Sequence, residues 1–406
     1  MSSTIERGPT SSILVDKAAR WLLEQALFDA DISTMLCGCY ERLNAAGVPI
    51  SRAHLVLSIL HPLYSSIGIT WRPADGISVE GYQHFLGDEI PEAFRRSPYY
   101  LLRNENIEFI RRRIEGPDVG DEFPILNELR EQGSTDYLAF GLAFSTEGGK
   151  GVLGSWSTDR PGGFTDSEIA ALLNLNDTLA VACKMAVQRE VANNVVTTYL
   201  GPDAGHRVLN GNIKRGDGET TRAAIIYGDL RGSTAMADQE GRQAYIDALN
   251  DFFDATGGAI SAQGGEVLSF IGDAFLAVYP CGRNRKESVV ATQSALASAR
   301  DAISRMEGIN KDRTSSNLSA LRYGMSLHIG NVMFGNVGMA DRLAYSVFGA
   351  TVNEAARLEG LTSKYQQTVV GSANFKDYAG GDWLELGREE LKGVAQPMAI
   401  YAPSLN

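Results

Sequence analysis

The chain has 406 residues, of which 44% are hydrophobic and 21% charged, a globular composition with enough material for two domains. Its 37 Lys and Arg against 49 Asp and Glu give a net charge of −12, which argues against a nucleic-acid-binding protein with a basic footprint. The same charge repels polyanions, so a phosphate ligand would need cations that are placed locally.

Cysteines and hydropathy narrow the class of protein further. Four scattered cysteines are too few for a disulfide scaffold or a closed zinc site. The first residues are polar, unlike a signal peptide, and no apolar run reaches about 18 residues. We therefore expect a soluble, cytoplasmic protein without membrane insertion.

The first 164 residues mix helical and strand patterns. Apolar residues recur at helical spacing from Ile13 to Asn44, which predicts one or two amphipathic helices. Further along we predict strands at Ala53–Leu60 and Gly68–Arg72 broken by His61-Pro62, helices at Asn104–Arg113 and Phe123–Gln132, and a hairpin of Asp136–Ser145 with Lys150–Ser157.

A long helix is predicted to follow. Thr165 and Glu168 have the spacing of a capping box, which begins a helix that we extend to Leu200. Its apolar residues suit packing within its own domain or between two chains. Residues 201–221, rich in Gly, Asp, Asn and Arg, are interpreted as the domain boundary.

The last 185 residues alternate strands and helices in the order β-α-β-β-α-β, which is typical of a ferredoxin-like core. The predicted elements are a strand at Ala223–Tyr227, a helix at Tyr245–Ile260, a hairpin of Glu266–Ile271 with Ala274–Tyr279, a helix at Ser288–Met306, a polar loop at Asn310–Asn317, a strand at Leu321–Ile329, a helix at Thr351–Leu361 and a final strand pair.

Two aspartates stand where predicted strands end. Asp229 follows the strand at Ala223–Tyr227, and Asp273 lies in the hairpin turn after Gly272. Two carboxylates brought together by neighbouring strands suit a two-metal site, and Mg²⁺ commonly combines one or two carboxylates with substrate phosphates. Either Gly-Asp pair alone is more typical of an ordinary turn.

Asn353 and Arg357 are four residues apart, so they share one face of the predicted helix. An Asn can orient a sugar oxygen, and an Arg can stabilise charge that develops on a phosphoryl group. Taken alone, such a pair is more typical of an exposed helix surface.

Taken together, three segments resemble the catalytic domain of class III nucleotide cyclases: Gly228–Thr234, Gly264–Asp273 and Phe348–Glu359. The resemblance covers about 180 residues and includes the order and spacing of the two aspartates. It implies an α+β fold with a ferredoxin-like cyclase core, and conversion of a nucleoside triphosphate to a 3′,5′-cyclic nucleotide and pyrophosphate.

The resemblance also assigns roles by position. Asp229 and Asp273 match metal ligands for two Mg²⁺ or Mn²⁺ ions per active site, and Asn353 and Arg357 match the catalytic pair. The phosphate-binding positions are Leu230, Arg231, Gly232, Ser233 and Lys392. The family builds its sites between two protomers, which implies a homodimer.

The N-terminal part resembles the sensor region of cyclases of this architecture, and its end, Thr158–Phe164, resembles a GAF-type domain. We therefore expect a GAF-like sensor at 1–164, a connecting helix and transducer at 165–221, and the cyclase domain at 222–406. The sensor's ligand cannot be inferred from the sequence.

The positions that read the base depart from the family pattern. Ser269 stands where adenylate cyclases usually have Lys and guanylate cyclases Glu, and Ser346 stands where Asp or Thr is usual. Two short hydroxyls favour a pyrimidine cyclase that makes cUMP or cCMP for a downstream effector, as in bacterial antiphage systems. An adenylate cyclase and a degenerate nucleotide-binding regulatory module remain alternatives.

Overall fold

The computed structural model describes residues 13–60, 64–83, 90–105, 107–115, 122–143, 151–282, 284–394 and 396–404. The chain divides into two compact units, Met1–Val195 and Val196–Asn406. This division cuts the long predicted helix, whereas the sequence places the boundary in residues 201–221. Each unit is described by itself.

The first unit is built from an antiparallel sheet and surrounding helices. Its helices are α1 (Ile13–Leu27), α2 (Ile32–Ala45), α3 (Glu92–Arg95), α4 (Pro98–Glu105), α5 (Pro124–Glu131) and α6 (Asp166–Leu200). Its strands are β1 (Arg52–Ser58), β2 (Tyr64–Arg72), β3 (Gly76–Gln83), β4 (Phe109–Arg113), β5 (Asp136–Ala143) and β6 (Gly151–Thr158). His61-Pro62 and the tip of the β5–β6 hairpin lie outside the described residues.

The two faces of this sheet are covered differently. The described strands follow the order β3-β2-β1-β6-β5-β4. Side chains of α1, α2 and α6 form the larger core with alternate residues of β1, such as Leu55 and Leu57. A smaller cluster on α4, α5, β4 and β5 includes Leu102, Leu126 and Tyr137. Because side chains alternate along a strand, Arg52 and His54 face away from the larger core.

The predicted helix from Asn104 to Arg113 is wrong, because residues 109–113 form the edge strand β4. They pair antiparallel with Asp136–Phe140 of β5. Arg111 donates to Asp136, whose side chain is fully buried, with 2.7 Å between Arg111 Nη2 and Asp136 Oδ2. The three arginines therefore extend a sheet and do not end a helix.

The capping box before α6 is confirmed. The Thr165 N–H donates to Glu168 Oε2 at 2.8 Å, and the Glu168 N–H donates to Thr165 Oγ1 at 3.3 Å. By length and composition, α6 is the one helix among the described residues that could cross a membrane, although the sequence predicts none. Half of its most apolar window is buried in the protein, as is usual for a core helix.

The second unit is a larger sheet with helices on both faces. Its helices are α7 (Pro202–Leu209), α8 (Ser233–Glu240), α9 (Arg242–Ala262), α10 (Arg285–Ser315), α11 (Ala350–Lys364) and α12 (Ala373–Ala379). Its strands are β7 (Gly218–Arg231), β8 (Glu266–Ile271), β9 (Ala274–Cys281), β10 (Arg322–Gly338), β11 (Leu343–Phe348), β12 (Val369–Ser372), β13 (Trp383–Glu389) and β14 (Met398–Pro403).

The described strands of the second unit follow the order β13-β14-β12-β10-β7-β9-β8, and β11 pairs with β10. Within the run β10-β7-β9-β8 neighbouring strands are antiparallel, whereas β10 pairs in parallel with β12. Together with α9 and α10 they contain the β-α-β-β-α-β order that the sequence predicts. Helices α9 and α10 cover one face, and α11 packs on the other through Ala355.

The predicted polar loop at Asn310–Asn317 is wrong over most of its length, because α10 continues to Ser315. Arg313 is nearly buried on this last turn. It donates to Asp251 Oδ2 at 2.9 Å and to the Ser319 carbonyl at 3.0 Å. These tertiary partners stabilise a helix end whose local sequence is polar.

Helix α7 is attached to the sheet through charged side chains. The Asp203 N–H at its first turn donates to Glu266 Oε1 on β8 at 3.0 Å. Arg207 forms ion pairs with Asp203 and, at 2.7 Å, with Glu219 on β7. The start of the second unit is thereby linked to two strands of the sheet.

Candidate active site

The structure brings Asp229 and Asp273 together. Asp229 lies near the end of β7, paired in register with Ala274, the first residue of β9. Asp273 occupies the turn between β8 and β9, which Gly272 enters with a φ of 67°, in the left-handed region that glycine tolerates. The Leu230 N–H donates to the Asp273 carbonyl at 3.1 Å, which fixes the strand end against the turn.

The electrostatics of the pair are unfavourable without a cation. Burial raises the pKa of Asp229, and the neighbouring Asp273 raises it further. Asp229 Oδ1 is buried and has no hydrogen-bond partner in the part of the chain that the structure describes. On Asp273, one carboxylate oxygen accepts a hydrogen bond from the Ser233 hydroxyl. Two like charges and an unsatisfied buried oxygen form an acceptor set suited to a positively charged ligand.

The turn after Asp229 leads directly into a helix. Gly232 has a φ of 74° and precedes α8, which begins at Ser233. Unpaired N–H groups at a helix N-terminus favour anions, so Gly232 and Ser233 occupy a suitable place for phosphate. The Leu230 N–H already donates to the Asp273 carbonyl in this arrangement.

Arg231 points to the neighbouring helix. Its Nη2 lies 3.5 Å from Glu359 Oε1 and also donates to Thr362 Oγ1 on α11. Burial raises the pKa of Glu359, and Asp229 raises it further. Glu359 is therefore a third carboxylate near the pair, held by Arg231, and sequence reasoning missed it. Its place within the resembling segment Phe348–Glu359 was the only signal available.

Asn353 and Arg357 lie on α11, the helix that also carries Glu359. Asn353 is exposed and Arg357 is half-buried beside Gly393, next to Lys392. Among the described residues, no hydrogen bond joins either side chain to Asp229 or Asp273. Lys392 is itself exposed. One copy of the chain thus brings the aspartates together but does not place Asn353, Arg357 or Lys392 on them.

The two expected base-reading serines lie on different strands. Ser269 is on β8, opposite Leu276 after a register shift, and Ser346 is on β11, opposite Gly335. Both are half-buried, and neither hydroxyl bonds to another group in the part of the chain that the structure describes. Phe270, next to Ser269, is exposed and contacts Phe253, with 4.5 Å between ring centroids.

Residues 217–401 match the model of the adenylate and guanylate cyclase catalytic domain. The second unit therefore contains a segment that matches the cyclase catalytic domain of this family.

Curated relatives match part of the chain. An adenylate cyclase of Anabaena cylindrica is 33% identical over 156 residues, which are 38% of this chain and 30% of the relative. Adenylate cyclase 1 of Rhizobium meliloti (strain 1021) is 28% identical over 183 residues, 43% of this chain and 26% of the relative. This chain thus matches less than a third of each relative's length.

Among solved structures, that of a bacterial light-regulated adenylyl cyclase is similar with a TM-score of 0.47 and 22% identity, covering 58% of this chain and 65% of that one. A guanylyl cyclase structure, Cya2, gives a TM-score of 0.39 and 25% identity, covering 45% of this chain and 92% of that one.

Cyclases of this family use divalent metal ions. Asp229 and Asp273 have the chemistry needed to bind such an ion. The unsatisfied Asp229 Oδ1 and the adjacent Asp273 carboxylate are hard oxygen donors of the kind that Mg²⁺ and Mn²⁺ prefer. No group of three or more His, Cys, Asp or Glu that could hold a metal occurs among the described residues. Two carboxylates therefore fit a metal that is completed by substrate phosphates.

A buried imidazole fixes the helix that carries Asn353 and Arg357 to the cyclase sheet. His328 on β10 contacts Ser372 Oγ through Nδ1 at 2.8 Å and Glu354 Oε2 through Nε2 at 2.9 Å. The hydrogen bond from His328 lowers the pKa of Glu354. Because Glu354 follows Asn353 directly, this contact sets the rotation of α11.

Proposed function

We propose that this protein converts a nucleoside triphosphate to a 3′,5′-cyclic nucleotide and pyrophosphate. The observation that carries the proposal is the Asp229–Asp273 pair with its unsatisfied oxygen, inside a segment that matches the cyclase catalytic domain. The reaction joins the ribose 3′-oxygen to the α-phosphorus and breaks the bond to pyrophosphate.

Asp229 and Asp273 would hold two Mg²⁺ or Mn²⁺ ions, which supply positive charge to the attacking oxygen and the phosphates when bound. The N–H groups at Gly232 and Ser233 would hold the triphosphate at the start of α8. Arg231 would position the end of β7, since its Nη2 contacts Glu359 and Thr362 on α11.

A homodimer completes the site in this proposal. Asn353 and Arg357 would meet the aspartates of the other protomer, where Asn353 orients the ribose and Arg357 stabilises the phosphoryl charge of the transition state. Lys392, adjacent to Arg357 through Gly393, would contact a phosphate. The exposure of Asn353 and Lys392 supports this arrangement, as does the lack of hydrogen bonds from Asn353, Arg357 or Lys392 to Asp229 or Asp273 among the described residues.

For the base we propose a pyrimidine, UTP or CTP. Among the described residues, neither the Ser269 nor the Ser346 hydroxyl forms a hydrogen bond. Both hydroxyls can therefore donate to or accept from a base edge. A site built around hydrogen bonds rejects substrates that cannot form them by about 10⁴–10⁵-fold, and two short hydroxyls lack the reach of the purine-reading side chains.

ATP is the second candidate substrate. The curated relatives from Anabaena and Rhizobium are both named adenylate cyclases. An adenylate cyclase with this sequence would have to read adenine through backbone groups and Ser346.

The deciding experiment gives the purified full chain ATP, GTP, CTP and UTP separately, with Mn²⁺ or Mg²⁺, and resolves the cyclic products by mass. Predominant cAMP would refute the pyrimidine assignment. Asp273→Ala should reduce turnover by at least about a hundredfold while the dimer persists. Nucleotide binding without any product would favour a regulatory module.

The paired variant Ser269→Lys with Ser346→Asp tests base reading directly. We expect the ratio of kcat/KM for ATP to that for UTP or CTP to rise more than about tenfold. Ser269→Ala serves as the matched control, because it removes the hydroxyl without adding a cation. An unchanged ratio in the paired variant would remove both serines from base recognition.

We further propose that the first unit is a GAF-like sensor, that α6 and α7 are the transducer, and that the chain works in the cytoplasm. The product would act on a cyclic-nucleotide effector, in antiphage defence or in ordinary signalling. Phage challenge of cells carrying wild-type or Asp273→Ala protein separates the two roles, since only defence predicts lost resistance in the variant.

A further inference from the structure

The first unit contains a cavity of about 490 Å³ on the sheet face opposite the larger core. Strands β1, β5 and β6 form its floor, and α3, α4 and α5 form its walls. This volume is in the range of sites for small organic molecules. Ala93, Pro98, Pro124 and Ile125 supply apolar lining.

The floor is a connected set of polar groups. His54 Nδ1 lies 2.8 Å from the Tyr99 hydroxyl, which donates to Ser155 Oγ at 3.0 Å. The His54 and Tyr99 rings are nearly parallel, with centroids 5.8 Å apart. Burial and the nearby Arg52 lower the pKa of His54 to about 3, so the imidazole is neutral. These groups therefore bring no negative charge to the floor.

Arg52 supplies an uncompensated positive charge beside this set. Within the described ranges, its guanidinium forms no hydrogen bond or ion pair. Burial lowers the pKa of Arg52, and the neighbouring Arg72 also lowers it. Arg72 itself donates to the neutral Gln132 side chain at 3.0 Å. A partly buried cation without a partner carries a desolvation cost, which an anionic ligand would offset.

The charged groups at the cavity mouth are more exposed than the groups on its floor. Glu92, Arg96 and Glu128 also line the cavity, but all three are exposed. Water and salt screen exposed charges, so the floor determines ligand charge more strongly than the mouth does.

We propose that this cavity binds a small organic acid with a flat apolar body, its carboxylate facing Arg52. A guanidinium donates two parallel hydrogen bonds to a carboxylate, which no other group on this floor can do. The neutral His54–Tyr99–Ser155 set completes the polar end, and the proline and isoleucine side chains contact the body.

The probes are benzoate, phenylacetate and indole-3-acetate, each compared with its uncharged amide. Binding to the full chain is measured by ligand-observed NMR and by the shift in Tm. We expect at least one acid to bind more tightly than about 1 mM, and its amide to bind at least about tenfold more weakly. Equal binding of acid and amide, or no acid reaching this affinity, would overturn the proposal.

Arg52→Gln and Arg96→Gln form the matched pair of variants. Arg52→Gln should lose at least about tenfold in affinity for the acid, whereas Arg96→Gln, at the exposed mouth, should change it less than about threefold. Arg52→Lys keeps the positive charge but lacks the planar guanidinium. Its affinity for the acid should therefore lie between those of the wild type and Arg52→Gln. Equal losses in Arg52→Gln and Arg96→Gln would contradict a floor site.

Stability separates a ligand-binding Arg52 from a structural one. Without ligand, Arg52→Gln removes an unpaired, partly buried charge, so its Tm should equal or exceed that of the wild type. A Tm lowered by several degrees would assign Arg52 to the fold and overturn the proposal.

Discussion

At the residue scale, Asp229 is held in a place that does not suit an isolated carboxylate. Its pKa is raised by burial and by Asp273, so the charged form costs stability in the metal-free protein at neutral pH. Asp229→Asn should therefore raise the Tm in EDTA while abolishing activity. Differential scanning calorimetry measures the first effect, and exposed Asp341→Asn is the control with no expected change in Tm. A lowered Tm in Asp229→Asn would contradict this account.

Glu354 is the opposite case, because the hydrogen bond from His328 lowers its pKa. Its contribution to folding is present at neutral pH and is lost as the pH falls below the ordinary carboxyl value of 4.5. We expect Glu354→Gln to lower the free energy of unfolding by about 1 kcal/mol at pH 7.

Urea unfolding of the wild type and Glu354→Gln across a pH series tests this prediction. The difference between their free energies of unfolding should become smaller as the pH falls below the ordinary carboxyl pKa of 4.5. Glu390→Gln, at an exposed position, should follow the wild type throughout. A difference that stays constant across the series would show that the ionised Glu354–His328 contact is not its source.

The sequence predicts the aspartates well because each is marked by a glycine and the end of a strand. It could not predict the Arg231–Glu359 pairing, because that contact joins residues 128 positions apart and depends on how α11 packs on β7. Likewise, nothing local indicates that the Leu230 N–H is already occupied by the Asp273 carbonyl.

At the element scale, α7 depends on a carboxylate from another element. Glu266 accepts from the N–H at its first turn, and such capping contacts are typically worth about 1 kcal/mol. Glu266→Ala should speed hydrogen exchange of the α7 amides. Glu219→Ala removes an exposed partner of Arg207 and should have a smaller effect. Equal exchange rates in the two variants would exclude Glu266 as the cap.

Element types were predictable where periodicity was strong, as in α6 and the β8–β9 hairpin. The two errors share a cause. The strand β4 exists because of its pairing with β5, and the last turn of α10 exists because Arg313 reaches Asp251. Both are decided by partners that are distant in sequence, which local pattern does not contain.

At the scale of the whole molecule, the two compact units have separate cores, so the second should fold alone. We expect a fragment of Val196–Asn406 to show cooperative unfolding with the secondary structure of the parent. Circular dichroism and calorimetry on the fragment and the full chain test this. A fragment that melts without a cooperative transition would show that the units are one folding entity.

Composition and motifs predicted an α+β molecule with a cyclase domain in its C-terminal half. They also described an acidic chain that would need local cations to bind a polyanion. In the structure, the unsatisfied Asp229 Oδ1 is the atom at which such a cation would bind. The domain limits at 164 and 221 remain proposals, because the chain divides into its two compact units at a position within α6.

The register of β7 against β9 has one more consequence, for tolerance to insertions and deletions. Asp229 is opposite Ala274, and only Gly272 and Asp273 connect β8 to β9. Adding or removing one residue within either paired strand would turn one carboxylate to the other side of the sheet. This part of the chain should therefore accept many changes of side chain while keeping its length constant.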